Sequence, residues 1–145
     1  MVEIRARDYR TPGQPQESCT PWGMWIEVTC GDGTSALIRG TGCSETQRPG
    51  HPFWVHGSKG TLRGSVLGQD FLELEQDGTT ERFDLDGGWF PDGFAGTMGE
   101  LMCAIEEDRE PYNSGGHNLL TLEITLAACR SADSNGVAVA LPRGA

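Results

Sequence analysis

The spacing of apolar residues changes near residue 87, and this change constrains the fold more than any other feature of the sequence. Before it, apolar residues alternate with polar ones, as in half-buried β-strands. After it, they recur every three or four residues, as on one face of an α-helix: Phe94, Met98, Leu101, Met102 and Ile105. Strands therefore precede helices along the chain, which favours an α+β architecture over alternating strands and helices.

Short turns divide the strand region into hairpins. Glycine-containing turns are predicted at residues 31–33, 57–60 and 77–78, because glycine and aspartate accept the positive φ angles that such turns need. The predicted strands lie at residues 2–6, 24–30, 34–40, 53–55, near 62, 71–74 and 83–85. Strands joined by tight turns pair as antiparallel neighbours, so we expect a predominantly antiparallel open sheet.

Two helices and a last strand complete the predicted fold. Asp92 is expected to cap the first helix, and Glu100 to lie on its solvent side. The second helix is predicted from about Asn118 to a stop at Asn135-Gly136, followed by a short strand in "VAVALP". Its residues expected to face the core are Leu119, Leu122, Ile124, Leu126 and Cys129.

These elements together predict one fold class. We expect a single α+β domain over residues 1–145. It consists of a predominantly antiparallel open β-sheet with the two C-terminal helices on one face, and its other face is used for oligomerisation.

Composition excludes some classes of function. A net charge of −10 and a pI near 4.6 argue against a nucleic-acid partner, because phosphate binding needs clustered Lys and Arg. No apolar run approaches the ~20 residues that span a bilayer, so we expect no membrane partner and a cytoplasmic location. The five cysteines form no C-x-x-C pair and are predicted to be reduced thiols.

Residues that commonly form nucleotide or metal sites are present in unfavourable patterns. Gly40 and Gly42 follow a predicted strand, as in part of a dinucleotide-binding turn, but a polar segment ending in proline follows them, so a loop is predicted. His51 and His56 are five residues apart and therefore lie on opposite faces of a strand, while His117 is distant in sequence. No metal site is expected.

The remaining polar patterns are equally weak as catalytic signals. Lys59 and Arg63 beside a glycine turn could hold an anion, although a hairpin turn with solvated basic groups is the favoured interpretation. No serine, histidine and acid can be assigned as a triad from sequence alone. No catalytic residue is predicted.

Four segments occur in a characteristic order: "HGSKGTLRG", the aromatic loop with "FAGTMGELMCAIEE", the "REP" break, and "AACRSADSNGVAVAL". In this order and spacing they resemble the C-terminal domain of the Gfo/Idh/MocA family of NAD(P)-dependent sugar and polyol oxidoreductases. The resemblance covers nearly the whole chain. It implies an upstream Rossmann domain that binds NAD(P), and a C-terminal domain whose open sheet mediates dimers or tetramers.

The sequence departs from the family pattern in the part that performs catalysis. The Rossmann half, a Glu-Lys-Pro-like segment with the family's catalytic lysine, and the helix with its assisting Asp and His are not found in these 145 residues. Hydride transfer needs a bound cofactor and a group that accepts the hydroxyl proton. We therefore expect this chain alone to bind no cofactor and to be catalytically silent.

The resemblance also implies a substrate site. It places the loop before the first helix near the substrate cleft that the family forms with its Rossmann domain. Trp89, Phe90 and Asp92 are the predicted substrate-binding residues, because an aromatic face and a carboxylate commonly bind a polyol ring. The alternative is that these aromatics form a hydrophobic plug that fixes the helix entry to the sheet.

Two functions from different classes follow. In the first, the chain is the substrate-binding and oligomerisation domain of a sugar or polyol oxidoreductase. In the second, it is a free-standing, non-catalytic subunit with the same fold that binds carbohydrate or pairs with a Rossmann-domain partner.

Overall fold

The computed structural model describes residues 2–42, 50–68 and 70–141, which form eight strands, two α-helices and one π-helical turn. The strands are β1 (Val2–Tyr9), β2 (Gly23–Cys30), β3 (Ser35–Thr41), β4 (His51–Gly57), β5 (Gly60–Val66), β6 (Phe71–Gln76), β7 (Thr79–Phe83) and β8 (Val139–Leu141). The π-helical turn spans Trp89–Gly93, and the helices are α1 (Phe94–Glu106) and α2 (Gly115–Asp133). The predicted α+β class is confirmed, and so is the antiparallel pairing of the strands.

The strands form two four-stranded sheets rather than one sheet. The first has the order β3-β2-β1-β8 and the second the order β4-β5-β6-β7. The chain divides correspondingly into two compact units: residues 1–45 with 114–145, and residues 46–113. Turn signals specify neighbours within a hairpin, but they say nothing of pairing between successive hairpins, so the division was not predicted. A single domain over residues 1–145 remains a prediction.

The core of the first unit lies between β1, β8 and α2. Ile4 and Ala127 are fully buried there, with Ala6, Ala128 and Leu141 around them. Small side chains on both β1 and α2 allow the helix backbone to approach the sheet closely. Ser131 extends this contact: its Oγ accepts a hydrogen bond from Ala6 N at 2.9 Å and donates one to Val137 O at 2.7 Å.

The predicted core face of α2 is wrong for most of its residues. Leu119, Leu122 and Leu126 are 58%, 53% and 49% exposed, and Cys129 is exposed as well. Only Ile124 packs against the core. The residues that share its face are spaced three and four apart, as the helix period requires, but they are small: Ala127, Ala128 and Ser131. Large side chains there would hold the helix away from β1.

The two ends of α2 are defined by local hydrogen bonds and backbone angles. The helix begins three residues before its predicted start, and Ser114 caps it by accepting a hydrogen bond from His117 N at 3.2 Å. The predicted stop is confirmed, because Asn135 and Gly136 have left-handed φ values of 58° and 84°. Gly136 N also donates to Ser131 O at 2.8 Å.

In the second unit, β4 to β7 form a meander in which each strand pairs with the next. Gly64 of β5 lies opposite Phe53 of β4, and the phenyl ring covers it. A Cβ at this position would lie 2.6 Å from Phe53 Cζ and 2.7 Å from Phe71 O. Glycine is therefore required here for close approach and not for a turn.

Helix α1 includes all five positions of the predicted apolar face, but the predicted burial of that face is wrong. The five large residues of this face, which we call the α1 stripe, are all exposed: Phe94 58%, Met98 57%, Leu101 39%, Met102 61% and Ile105 71%. The one buried residue of α1 is Ala104. Periodicity identifies an apolar face, whereas burial depends on the surface that packs against it.

The predicted capping role of Asp92 is also wrong. Gly93 occupies the N-cap position of α1, and no side chain caps that end. The preceding turn over Trp89–Gly93 is kinked at Phe90, whose φ and ψ of −117° and 127° are extended. Gly93 already has helical φ and ψ of −61° and −37°, so the N-cap falls one residue later than a simple loop-to-helix boundary would place it.

Candidate functional site

The π-helical turn before α1 carries the three residues predicted to bind substrate. Trp89 is 49% exposed and Phe90 is 68% exposed. The ring centroids of Phe90 and Phe94 are 5.1 Å apart and the rings are inclined by 35°. This contact orients the Phe90 ring over the start of α1 while much of its surface stays open. A hydrophobic plug would require burial that neither Trp89 nor Phe90 has in this structure.

Asp92 fixes the loop that precedes the turn. Its Oδ2 accepts a hydrogen bond from Gly88 N at 2.7 Å. Gly87 has a φ of 77°, and a Cβ there would lie 2.8 Å from the Asp92 carboxyl carbon. Glycine is therefore needed at position 87 for both its backbone angle and the close approach of Asp92. Within the described part of the chain, no hydrogen bond uses Asp92 Oδ1.

An ion pair behind the turn fixes the "REP" segment to α1. Glu100 accepts two hydrogen bonds from Arg109, at 2.6 and 3.0 Å, and one from Tyr112 N at 2.8 Å. The Arg109 guanidinium also lies 5.0 Å from the centre of the Tyr112 ring. Asn113 Nδ2 adds a hydrogen bond to Thr97 O at 3.1 Å. We call the set of Glu100, Arg109 and Tyr112 the α1 clamp.

The α1 clamp perturbs the ionisation of its members. The hydrogen bonds from Arg109, and then the one from Tyr112 N, lower the pKa of Glu100 to about 2. The same pairing raises the pKa of Arg109 above its ordinary value. The sequence interpretation placed Glu100 on the solvent side and missed this role. The signal available was Arg109, which follows the end of α1 closely enough to fold back on it.

The other predicted patterns are distributed over separate elements. His51 and His56 both lie on β4, and His56 Nδ1 is 3.1 Å from Thr61 Oγ1. The described residues contain no group of three or more side chains that could hold a metal ion. Lys59 lies in the β4–β5 turn, whereas Arg63 is paired with Glu73 at 2.7 Å.

The glycine segment after β3 is described only in part. Gly40 belongs to β3, and Gly42 N donates to Trp22 O at 2.8 Å. Residues 43–49, over which a loop was predicted, lie outside the described residues. The cysteines at positions 19, 30, 103 and 129 are free.

Comparisons with known proteins identify the fold. No protein-family model matches the chain, and no curated protein is significantly similar to it. Several solved structures are similar. An oxidoreductase domain protein from Kribbella flavida superposes with a TM-score of 0.80 at 16% identity, over 98% of this chain and 46% of its own.

Two further oxidoreductases also superpose on nearly the whole of this chain. One, from Agrobacterium radiobacter in complex with NAD+, L-tartaric acid and magnesium, has a TM-score of 0.77 at 18% identity, over 95% of this chain and 42% of its own. The other is aldose-aldose oxidoreductase from Caulobacter crescentus complexed with glycerol, with a TM-score of 0.74 at 17% identity, over 97% of this chain and 41% of its own. These structures are Gfo/Idh/MocA-type oxidoreductases, and the chain shares the fold of one part of each of them.

The similarity is one of backbone fold, since all three sequence identities are below 20%. The chain spans less than half the length of these structures. No helix among the described residues is long and apolar enough to cross a membrane.

Proposed function

We propose that this chain is the substrate-binding and oligomerisation domain of an NAD(P)-dependent sugar or polyol oxidoreductase. The observation that supports it best is the superposition of nearly the whole chain on 41–46% of each of three oxidoreductases. One of these holds NAD+ and another glycerol. In this proposal a separate Rossmann domain binds NAD(P), and the chain alone binds no cofactor and is catalytically silent.

The substrate in this proposal lies against Trp89, Phe90 and Asp92. The partly exposed rings of Trp89 and Phe90 provide flat apolar surfaces for the C–H face of a sugar or polyol. The carboxylate of Asp92, with one oxygen engaged by Gly88 N, would accept a hydrogen bond from a hydroxyl through the other. The α1 clamp supports this arrangement by holding the helix and the following segment together.

Oligomerisation is proposed through the face of the first sheet opposite α2. The side chains on this face alternate with Ile4 and Ala6, which point toward α2. Leu37, in register with Glu27 and Arg5 on that face, is 74% exposed. Helix α2 packs on this sheet through β1 and β8, and the face opposite that contact is open to a second copy. The free thiols of the described cysteines support the proposed cytoplasmic location.

The test follows the indole N–H signals of the ¹⁵N-labelled chain, which has four tryptophans. Glucose and sorbitol, added at millimolar concentration, are expected to shift the Trp89 signal in a saturable manner. Trp89→Phe assigns this signal, and the Trp22 signal serves as the internal control. Absence of any Trp89 shift with a wider panel of aldoses and polyols contradicts the proposed site.

Cofactor dependence is tested in a separate titration. NADH and NADPH are expected to show no saturable binding to this chain by calorimetry, and micromolar affinity would overturn the proposal that the cofactor site lies elsewhere.

The genomic sequence gives a second test, which concerns the chain's origin. We expect the reading frame upstream of Met1 to continue into a βαβ segment with a G-x-G-x-x-G turn. A stop codon there would support the free-standing subunit instead.

A further inference from the structure

A row of four side chains crosses the second sheet from edge to edge. Trp54 of β4 lies opposite Arg63 of β5, Arg63 opposite Glu73 of β6, and Glu73 opposite Arg82 of β7. Residues directly opposite in antiparallel strands share one face, so all four lie on the same face. None of them belongs to the Trp89–Gly93 turn or to the α1 clamp.

Glu73 holds the two arginines of this row. Its side chain is only 13% exposed, while those of Arg63 and Arg82 are 50% and 62% exposed. Glu73 Oε2 accepts from Arg63 Nε and contacts Nη2, both at 2.7 Å, and Glu73 Oε1 accepts from Arg82 Nη1 at 3.1 Å. Among the described residues, Arg63 Nη1 and Arg82 Nη2 form no hydrogen bond, so donors remain on the solvent side of both pairs.

The arginines border an open depression of about 510 Å³, whose lining also includes Asp70 and Phe71. The Arg82 guanidinium lies 5.5 Å from the centre of the Phe71 ring, which fixes its plane further. Two positive and two negative side chains line this depression, so their charges cancel. A simple ion gains little from such a surface, whereas a neutral ligand with many hydroxyl groups finds both donors and acceptors.

Trp54 adds an apolar platform at one end of the row. Trp54 is 59% exposed, although it lies directly opposite Arg63 in the strand register. A flat indole next to fixed hydrogen-bond donors matches the two sides of a sugar ring, one of C–H groups and one of hydroxyls. Three strand spacings of about 4.8 Å give a row roughly 14 Å long, which exceeds one pyranose ring.

We infer that this face of the second sheet is a binding surface for a neutral oligosaccharide. Trp54 stacks on one sugar ring, and Arg63 and Arg82 donate hydrogen bonds to hydroxyl groups of the next. Glu73 is a positioning residue that holds both guanidiniums. The inference rests on the row itself and does not depend on the proposed oxidoreductase function.

The test uses cellotetraose and maltotetraose with the full ¹⁵N-labelled chain. At least one of them is expected to shift the Trp54 indole signal and the Arg63 and Arg82 Nε signals in a saturable manner, while the Trp22 signal stays fixed. Trp54→Ala and Arg82→Gln are expected to weaken binding about tenfold or more, because each removes a direct contact. The matched controls, Trp22→Ala and Arg39→Gln on the first sheet, should leave the affinity unchanged.

Two further measurements make the outcome decisive. Trp54→Phe keeps an aromatic ring and is expected to retain most of the affinity, and its dispersed amide spectrum verifies folding. Glucuronate oligomers should bind no better than neutral ones, and a clear preference for them would overturn the neutral class. If no oligosaccharide shifts the Trp54 signal, the inference is wrong, and a changed sedimentation coefficient of Trp54→Ala would then identify the face as a protein interface.

Discussion

At the scale of single residues, the first unit depends on a serine that joins two distant parts of the chain. Ser131 is fully buried, and its hydroxyl bonds the backbone of Ala6, 125 residues away in sequence, as well as Val137 O. Both backbone groups lose their partner if this hydroxyl is removed. A buried polar group without a partner is costly because it has also lost its contact with water.

Ser131→Ala is expected to lower the free energy of unfolding by about 1–3 kcal/mol. Denaturant unfolding followed by circular dichroism measures this change. Ser35→Ala, at an exposed position on β3, is the matched control and should change stability by less than about 0.5 kcal/mol. Equal effects of the two substitutions would show that the buried hydrogen bonds contribute little.

Glycines at two positions are expected to respond oppositely to alanine. Gly99 lies inside α1, where an added Cβ meets nothing within 4 Å, so Gly99→Ala should stabilise the chain by about 0.5–1 kcal/mol. At Gly64 the Cβ would meet the Phe53 ring and the Phe71 carbonyl, so Gly64→Ala should destabilise it by about 1–3 kcal/mol. Thermal unfolding measures both, and stabilisation by Gly64→Ala would contradict the close packing described here.

At the scale of elements, the extent of α1 and its burial have different origins. The spacing of Phe94, Met98 and Leu101 predicts the helix because the period is a property of the local sequence. Their exposure depends on neighbours that the period does not reveal. Helix α2 illustrates the same point. Its buried face consists of alanine and serine, whereas the sequence prediction assigned its leucines to the core. The α1 clamp is also tertiary, because Arg109 reaches Glu100 only once the chain reverses after α1.

The α1 clamp should make stability depend on pH in the acidic range. Glu100 has its pKa lowered from an ordinary 4.5 to about 2 by Arg109 and Tyr112 N. A depressed carboxyl pKa contributes stability that is fully present above about pH 4.5 and is lost as the pH falls toward 2. Glu100→Gln should therefore flatten the stability profile between these values.

The measurement is the denaturation midpoint of the two proteins from pH 2 to pH 6. Glu106→Gln, an exposed position on the same helix, is the control and should follow the unsubstituted chain. A Glu100→Gln profile parallel to that of the unsubstituted chain would mean that the ion pair is too solvated to affect folding.

At the scale of the whole molecule, the sequence predicted the fold class better than the arrangement of the strands. Turns such as Asp77-Gly78, with positive φ at both residues, specified each hairpin correctly. The division into two sheets depends on which hairpins pair further, and no local pattern encodes that choice. The candidate site was predicted only through the resemblance to a family, because aromatic residues before a helix serve equally well in a core.

Self-association should respond to the open face of the first sheet. We expect a dimer or larger assembly in sedimentation velocity at tens of micromolar, where modest interfaces associate. Leu37→Asp places a charge on that face and should shift the protein toward the monomer. Leu85→Asp, at another exposed apolar position, is the control. A monomeric unsubstituted chain would refute the proposed interface.

One of the two units is formed from a continuous stretch of sequence and the other from two separate stretches, and this affects the order in which they can fold during translation. Residues 46–113 form one unit from consecutive sequence, whereas the other combines 1–45 with 114–145. On the ribosome, β1 therefore emerges long before α2 and β8, the elements that cover it. At a translation rate of about 5–20 residues per second, the unit of residues 46–113 is fully synthesised while β1 to β3 still lack α2. Their apolar face stays open for seconds, so chaperone occupancy on nascent chains is expected to peak in that interval and to fall once α2 has emerged.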